Sequence, residues 1–188
     1  MKAPWISFFC FSFLLISVTH AEDFIDLDLI PDYAKDPVLI LVKKGILQGN
    51  EDGSFAPKRS INRAEFSKLI VEATSVKKYV PINPSFPDVT SEDWFFPYVE
   101  TARKEGWISG YPDGEFKPAE NINRAEIAKM LTLAFDLQVS KSDSDQYWFD
   151  AYVRALAERK LLPYNTENAI FNPSKRPDRA EVSEHIYK

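Results

Sequence analysis

Three arginines stand at corresponding places in the sequence, each directly after a residue that typically caps a helix. They are Arg63, Arg124 and Arg179, which follow Asn62, Asn123 and Asp178. The pattern puts a cation at the first position of a helix, where the partial positive charge of the N-terminus disfavours it by about 0.3–1 kcal/mol. A planar guanidinium and free backbone N–H groups could together hold a carboxylate. The threefold repetition therefore predicts anion binding by these arginines.

A second interpretation of the arginines stays open. Each could pair with a nearby acidic side chain, such as Asp52, Asp113 or a glutamate, and simply tie a loop to a helix. The two aspartates precede Gly53 and Gly114, and Asp-Gly pairs are strong turn signals. These four residues are predicted mainly to form turns, with direct ligand contact as the alternative.

Aromatic residues occur near the predicted starts of the other helices. Trp94 and Trp148, with Tyr33 as their counterpart, could each present a ring face to a sugar, because such side chains suit sites with one apolar and one wet side. Packing between helices is the competing interpretation. The sequence alone leaves both open.

Metal binding and catalysis find little support in the sequence. Residues 109–120 have a glycine at the sixth place and a glutamate at the twelfth of a possible calcium loop, but Ser109 and Tyr111 are poor ligands. His185 falls on a predicted apolar helix face, which indicates packing. No cysteine nucleophile, metal cluster or phosphate loop is present. We expect no enzyme activity, no metal and no cofactor.

The residues above belong to an internal repeat of three units. The spacing from phenylalanine to arginine is eight residues each time, in Phe55–Arg63, Phe116–Arg124 and Phe171–Arg179. Such self-similarity indicates a repeat architecture. We expect an export signal at 1–21, unit one at 22–80, unit two at 81–140 and a degenerate unit three at 141–188.

Each unit is predicted to be helix, turn-rich loop, helix. The first helices are expected at about Asp36–Lys44, Trp94–Glu105 and Asp150–Arg159, with Asp36 as a cap and Pro37 at the first helical position. Gly45 and Gly106 can adopt the left-handed conformation that closes a helix. Lys160 takes that place in unit three, which predicts a less favourable helix end.

The second helices carry capping boxes and apolar stripes. Asn62 with Glu65, Asn123 with Glu126 and Asp178 with Glu181 have the required spacing. The stripe Phe66, Leu69, Ile70, Ala73 matches Ile127, Met130, Leu131, Ala134 at helical spacing. The sequence therefore predicts a mainly α fold in which three second helices form a central bundle.

Composition limits the classes of partner. The chain has 28 acidic and 23 basic residues, a net charge of −5, which argues against nucleic-acid binding by a basic surface. Residues 1–21 have the pattern of an export signal, whose apolar run of about 14 residues is too short to span a bilayer. The only cysteine, Cys10, lies in that segment, so no disulfide is expected.

Unit two resembles an S-layer homology repeat. The resemblance rests on Trp94, on the run from Gly106 to Pro118 (GWISGYPDGEFKP) and on Ile122-Asn123-Arg124-Ala125-Glu126, which is similar to an ITRAE motif. Unit one follows closely. Unit three departs, showing Pro163 to Asn168 where the Gly-Tyr-x-Asp-Gly turn is expected.

The resemblance implies a pseudo-threefold spindle around a three-helix core. It also implies a secreted module that binds secondary cell-wall polysaccharide, often through a pyruvylated sugar, in grooves between adjacent repeats. The candidate residues Arg63, Arg124, Arg179, Trp94, Trp148, Tyr33, Asp52, Gly53, Asp113 and Gly114 would then bind carbohydrate. An envelope protein as cargo is a further expected partner. The alternative is a protein-interaction or self-assembling envelope component without sugar binding.

Overall fold

The computed structural model describes residues 24–162 and 171–188, which are mainly helical. A short 3-10 helix, Leu27–Leu29, precedes six α-helices: α1 (Asp32–Lys43), α2 (Arg63–Thr74), α3 (Phe96–Lys104), α4 (Arg124–Ala134), α5 (Asp150–Glu158) and α6 (Arg179–Tyr187). None of these helices is long and apolar enough to cross a membrane. The predicted export signal and the loop from Pro163 to Asn168 lie outside the described residues.

The first helix of unit one begins earlier than the sequence indicated. α1 starts at Asp32, with Pro31 as its N-cap and Pro37 inside it, so the prediction that Asp36 caps this helix was wrong. A proline within a helix removes one backbone bond. The helix nevertheless continues because Ala34, Pro37, Val38 and Leu41 are buried together on one face.

The first helices end in left-handed residues, as predicted. Gly45 and Gly106 have φ of 74° and 78°, and Trp107 N–H donates back to the Ala102 carbonyl at 2.9 Å. Lys160 adopts the same conformation, with φ of 57°, and Leu161 N–H donates to Leu156 O at 2.9 Å. The Cβ of a residue in this conformation lies too close to the following carbonyl oxygen. The backbone is therefore strained at the end of α5, whereas the glycines at the ends of α1 and α3 avoid this strain.

The predicted cap residues of the second helices are confirmed, as are the capping boxes of α2 and α4. Asn62 and Asn123 each form a reciprocal capping box, with Glu65 and Glu126 as partners. The Asp178 side chain accepts from Glu181 N–H at 2.9 Å. These bonds satisfy N–H groups that a helix start otherwise leaves unpaired.

The helices pair in cyclic order between units. α3 packs on α2, α5 packs on α4, and α1 packs on α6, so each first helix lies against the second helix of the preceding unit. α2 also contacts α4 and α6 directly. The apolar stripes of α2 and α4 lie in the resulting core. A pseudo-threefold arrangement of the units stays a prediction.

In units one and two, the loop after the first helix is fixed by a carboxylate that the sequence analysis did not single out. Asp26 accepts from the N–H groups of Phe55 and Ala56 at 2.7 and 2.8 Å. Asp88 does the same for Phe116 and Lys117 at 2.8 and 2.7 Å. Because both oxygens are used, each loop is held in one position beside the second helix.

Candidate functional site: two grooves between units

Two grooves occupy corresponding places in the fold. The first, which we call the α2 groove, is a cavity of about 170 Å³ beside α2 and the loop 46–50. Its polar and aromatic side chains are Gln48, Asn50, Arg59, Glu65, Lys68, Trp94 and Arg179. Trp94 comes from unit two and Arg179 from unit three, so the α2 groove is assembled from all three units.

The second groove, the α4 groove, has a volume of about 270 Å³ beside α4 and the loop 107–111. Its polar and aromatic side chains are Arg63, Trp107, Ser109, Tyr111, Glu126, Lys129 and Trp148. The pattern repeats that of the α2 groove, because unit one supplies the arginine and unit three supplies the exposed tryptophan.

The structure brings several predicted site residues together in these grooves. Arg63 and Trp148 share the α4 groove, and Arg179 and Trp94 share the α2 groove. The tryptophans are 56% (Trp94) and 58% (Trp148) exposed, which argues against the interpretation that they are helix-packing core. Their indole rings are accessible from the groove openings.

The two Asp-Gly pairs lie elsewhere. Gly53 and Gly114 have φ of 82° and 87°, and Asp52 and Asp113 accept from backbone N–H groups two residues on, at 2.9 and 3.1 Å. None of these four residues lines the α2 groove or the α4 groove. The predicted turn geometry is therefore observed, and a ligand contact by these residues stays a prediction.

Tyr33 lies on α1, opposite α6, with half of its surface exposed. Burial raises the pKa of its hydroxyl, and the carboxylates of Asp178, Glu181 and Glu184 raise it further. Tyr33 is the counterpart of Trp94 in the sequence, and a contact between Tyr33 and carbohydrate stays a prediction.

The helix starts do not offer the free N–H groups that the anion-binding hypothesis assumed, and that part of it was wrong. The N–H groups of the three arginines donate to carbonyls of a neighbouring unit, at 2.9–3.0 Å: Arg63 to Glu120, Arg124 to Lys175 and Arg179 to Arg59. The following alanines do likewise, to Pro118, Pro173 and Pro57. Backbone pairing between units therefore occupies the donors that a ligand would need.

The arginine side chains reach across the same junctions. Arg63 is 6% exposed; its Nε donates to Phe116 O at 2.8 Å and its Nη1 to Glu126 Oε1 at 2.9 Å. The guanidinium lies 4.5 Å from the centre of the Tyr111 ring. Tyr111 also donates to Glu126 Oε1 at 2.7 Å, and burial, then this bond, raises the pKa of Tyr111 to about 12.

The other two arginines are also buried. Arg124 Nε donates to Glu181 Oε1 at 2.8 Å. Arg179 donates from Nε to Phe55 O and from Nη2 to Gln48 O, both at 2.8 Å, and its guanidinium lies 4.6 Å from the centre of the Phe55 ring. All three arginines therefore bridge units, and their pairing is longer-ranged than the local loop contact considered from the sequence.

Comparison with known proteins identifies the repeat. The S-layer homology domain profile matches residues 23–67 and 85–128. The chain carries tandem S-layer homology domains. The matched ranges contain α1, α3 and the first turns of α2 and α4, and with them Arg63, Glu65, Arg124 and Glu126.

Proteins from several bacteria are similar to these S-layer homology domains. A surface-layer 125 kDa protein of Lysinibacillus sphaericus is 32% identical over 66% of this chain. A surface layer protein of Brevibacillus choshinensis is 35% identical over 77%, and exoglucanase XynX of Acetivibrio thermocellus is 29% identical over 85%. The chain spans only 10%, 12% and 16% of the lengths of the Lysinibacillus, Brevibacillus and Acetivibrio proteins.

Two groove residues of the S-layer homology units were missed in the sequence analysis. Lys68 Nζ donates to Gln48 Oε1 at 2.9 Å, and Lys129 Nζ to Ser109 Oγ at 3.4 Å. Each lies five residues after the motif arginine, where unit three has Glu184. That recurring spacing was the available signal. Burial lowers the pKa of Lys68.

The grooves hold no metal-binding arrangement. Among residues 24–162 and 171–188, no group of three or more His, Cys, Asp or Glu side chains is placed to bind an ion. The chemistry that the grooves can offer is therefore hydrogen bonding, ring stacking and positive charge.

Proposed function

We propose that this chain is a non-catalytic anchoring module that binds an anionic cell-wall polysaccharide, pyruvylated sugars included, at the surface of the cell envelope. The observation that carries the proposal is the repeated groove, in which an exposed tryptophan, a lysine and a buried arginine from three different units meet. The surface-layer relatives support the location.

The groove chemistry suits an acidic sugar. An indole that is half exposed offers an apolar face to the ring of a sugar, and the lysine offers a cation to a carboxylate at hydrogen-bonding range. Asn50 and Gln48 in the α2 groove, and Ser109 in the α4 groove, add neutral groups for hydroxyls. This combination of groups serves the binding of an acidic sugar.

Similar segments occur in proteins of different kinds, as expected for a module that anchors other domains to the cell envelope. The similar proteins include surface-layer proteins and an exoglucanase, each far longer than this chain. We propose that an envelope protein is the cargo here as well.

The tryptophans test this function better than the arginines, because the arginines also hold the units together. We expect a Trp94→Ala, Trp148→Ala double variant to bind purified acidic wall polysaccharide at least tenfold more weakly in co-sedimentation. Tyr147→Ala is the matched control, since Tyr147 is 62% exposed, adjoins Trp148 and lines neither groove.

Unchanged retention of the double variant would refute the proposed site. Concentration-dependent self-association in light scattering, together with no retention of the wild-type chain, would favour the self-assembling envelope component instead.

A further inference from the structure

The three motif arginines differ in how their charge is neutralised. Arg63 pairs with Glu126 at 2.9 Å and Arg124 with Glu181 at 2.8 Å. Arg179 is equally buried, yet no carboxylate of the described residues lies within 4.0 Å of its guanidinium. The Arg179 guanidinium donates hydrogen bonds to the Phe55 and Gln48 carbonyls and lies over the Phe55 ring.

The missing counter-charge has an identifiable cause. Glu65 is the counterpart of Glu126 and Glu181, but both its oxygens are engaged by Arg59, at 2.8 and 3.1 Å, and Oε2 also caps Asn62 N–H at 3.0 Å. The residues at the place of Arg59 in the other units are Glu120 and Lys175. Lys175 also pairs with a glutamate, but it engages Oε2 of Glu181 and leaves Oε1 to Arg124. The bidentate pair with Arg59 thus draws the Glu65 carboxylate away from Arg179.

A second cation in the α2 groove has no anionic hydrogen-bond partner. Lys68 donates to the neutral Gln48 side chain. Burial lowers the pKa of Lys68 and the positive charge of Arg179 adds to this, against the attraction of the Glu72 carboxylate. Burial also lowers the pKa of Arg179 to about 10, and the charge of Arg59 lowers it further, against the attraction of Glu65 and Asp26. The lining of the α2 groove therefore carries more positive charge than its one carboxylate, Glu65, offsets.

The α4 groove is closer to neutral. Its basic side chains are Arg63 and Lys129, and Glu126 neutralises Arg63 directly. The α2 groove has three basic side chains, Arg59, Lys68 and Arg179, against Glu65 alone. The two grooves share the arrangement of arginine, lysine and tryptophan and differ in charge.

From this difference we infer, given the proposed function, that the α2 groove is the tighter of two unequal acid-binding sites, and that a ligand carboxylate there supplies the counter-ion that Arg179 and Lys68 lack. A buried charge without a counter-charge is costly, so an anion that enters the α2 groove gains a strong charge-assisted interaction. In the α4 groove the same anion meets Glu126 beside the arginine and gains less.

Ligand binding at the two grooves can be followed separately in the intact chain by NMR. Gly49 lines the α2 groove and Gly110 the α4 groove, and glycine amides are well separated in ¹H–¹⁵N correlation spectra. The titrant is a methyl hexoside that carries a pyruvyl ketal, and its methyl ester is the neutral control. We expect the Gly49 signal to titrate at a concentration at least tenfold lower than the Gly110 signal, and the ester to abolish the difference.

Matched variants complete the test. Lys68→Ala should raise the Gly49 midpoint at least tenfold and leave Gly110 unchanged, and Lys129→Ala should leave Gly49 unchanged. Equal midpoints in the wild-type chain, or a tighter Gly110 transition, would overturn the inference while leaving the proposed function intact. Absence of any shift at either glycine, with the acidic wall polysaccharide also unbound, would instead refute the proposed function.

Discussion

Arg63 Nη1 lies 2.9 Å from Glu126 Oε1, across the junction between units one and two. The other carboxylate oxygen, Oε2, accepts from Asn123 N–H at 3.0 Å and so completes the capping box of α4. One glutamate therefore both caps its own helix and neutralises an arginine of the preceding unit. The start of α4 and the junction with α2 form together.

This pairing predicts a large stability effect at Arg63. We expect Arg63→Ala to lower the free energy of unfolding by about 3 kcal/mol, because it leaves the partly buried Glu126 without its cation and removes the buried bond from Nε to Phe116 O. Urea unfolding followed by circular dichroism measures the change. Arg103→Ala on α3 is the control: its side chain is exposed, and its variant should stay within about 0.5 kcal/mol of the wild type. A loss below about 1 kcal/mol at Arg63 would contradict the assignment.

The strained end of α5 predicts a stabilising substitution. Lys160 has φ of 57°, which a glycine adopts without crowding, so Lys160→Gly should raise the free energy of unfolding by about 0.5–1 kcal/mol after the entropic cost of glycine. Lys44→Gly should have the opposite sign, because Lys44 ends α1 with φ of −80°. Thermal unfolding of both variants checks the pair, and destabilisation by Lys160→Gly would show that its conformation carries no strain.

The buried His185 predicts a dependence of stability on pH. Desolvation lowers its pKa from 6.5 to about 4, against a backbone contact with Glu181 that raises it. Between about pH 4 and pH 6.5, the imidazole of His185 is neutral in the folded chain and protonated in the unfolded chain. Stability is therefore complete above about pH 6.5 and falls as the pH drops towards 4, by about 3 kcal/mol in total for this group.

A single variant isolates that contribution from the titration of carboxylates. His185 occupies the place of Leu69 and Met130 in the other units, so His185→Met should fold and lose this part of the pH dependence. Urea unfolding of both proteins at pH 7 and pH 4.5 gives the comparison. Parallel losses of stability in the wild type and the variant would mean that His185 titrates normally in the fold.

Features that depend on nearby residues could be predicted from the sequence. The caps at Asn62 and Asn123 and the left-handed Gly45 follow from spacing and backbone preference, which act within one turn of a helix. The start of α1 could not be predicted in this way. Burial of Pro37 against the rest of the core overrides the local preference for a proline at the first helical position.

The surroundings of the arginines could not be predicted, because their partners lie in other units. Glu126 is 63 residues from Arg63, and nothing local to either residue indicates the pair. The exposure of Trp94 and Trp148 could not be predicted either, since an aromatic residue near a helix start suits a groove wall and helix packing equally. The lysines at the fifth place after the motif arginine could have been found by comparing charge at equivalent positions of the three units.

The packing of α1 on α6 has a consequence for the architecture as a whole. In an open solenoid the outermost repeats need polar faces to shield the stack from solvent. Here the helix pairs form a closed circuit, so no unit is outermost and each depends on two neighbours. Shortening the circuit to two units would leave apolar helix faces uncovered, whereas a circular permutant that keeps all three would retain every pair.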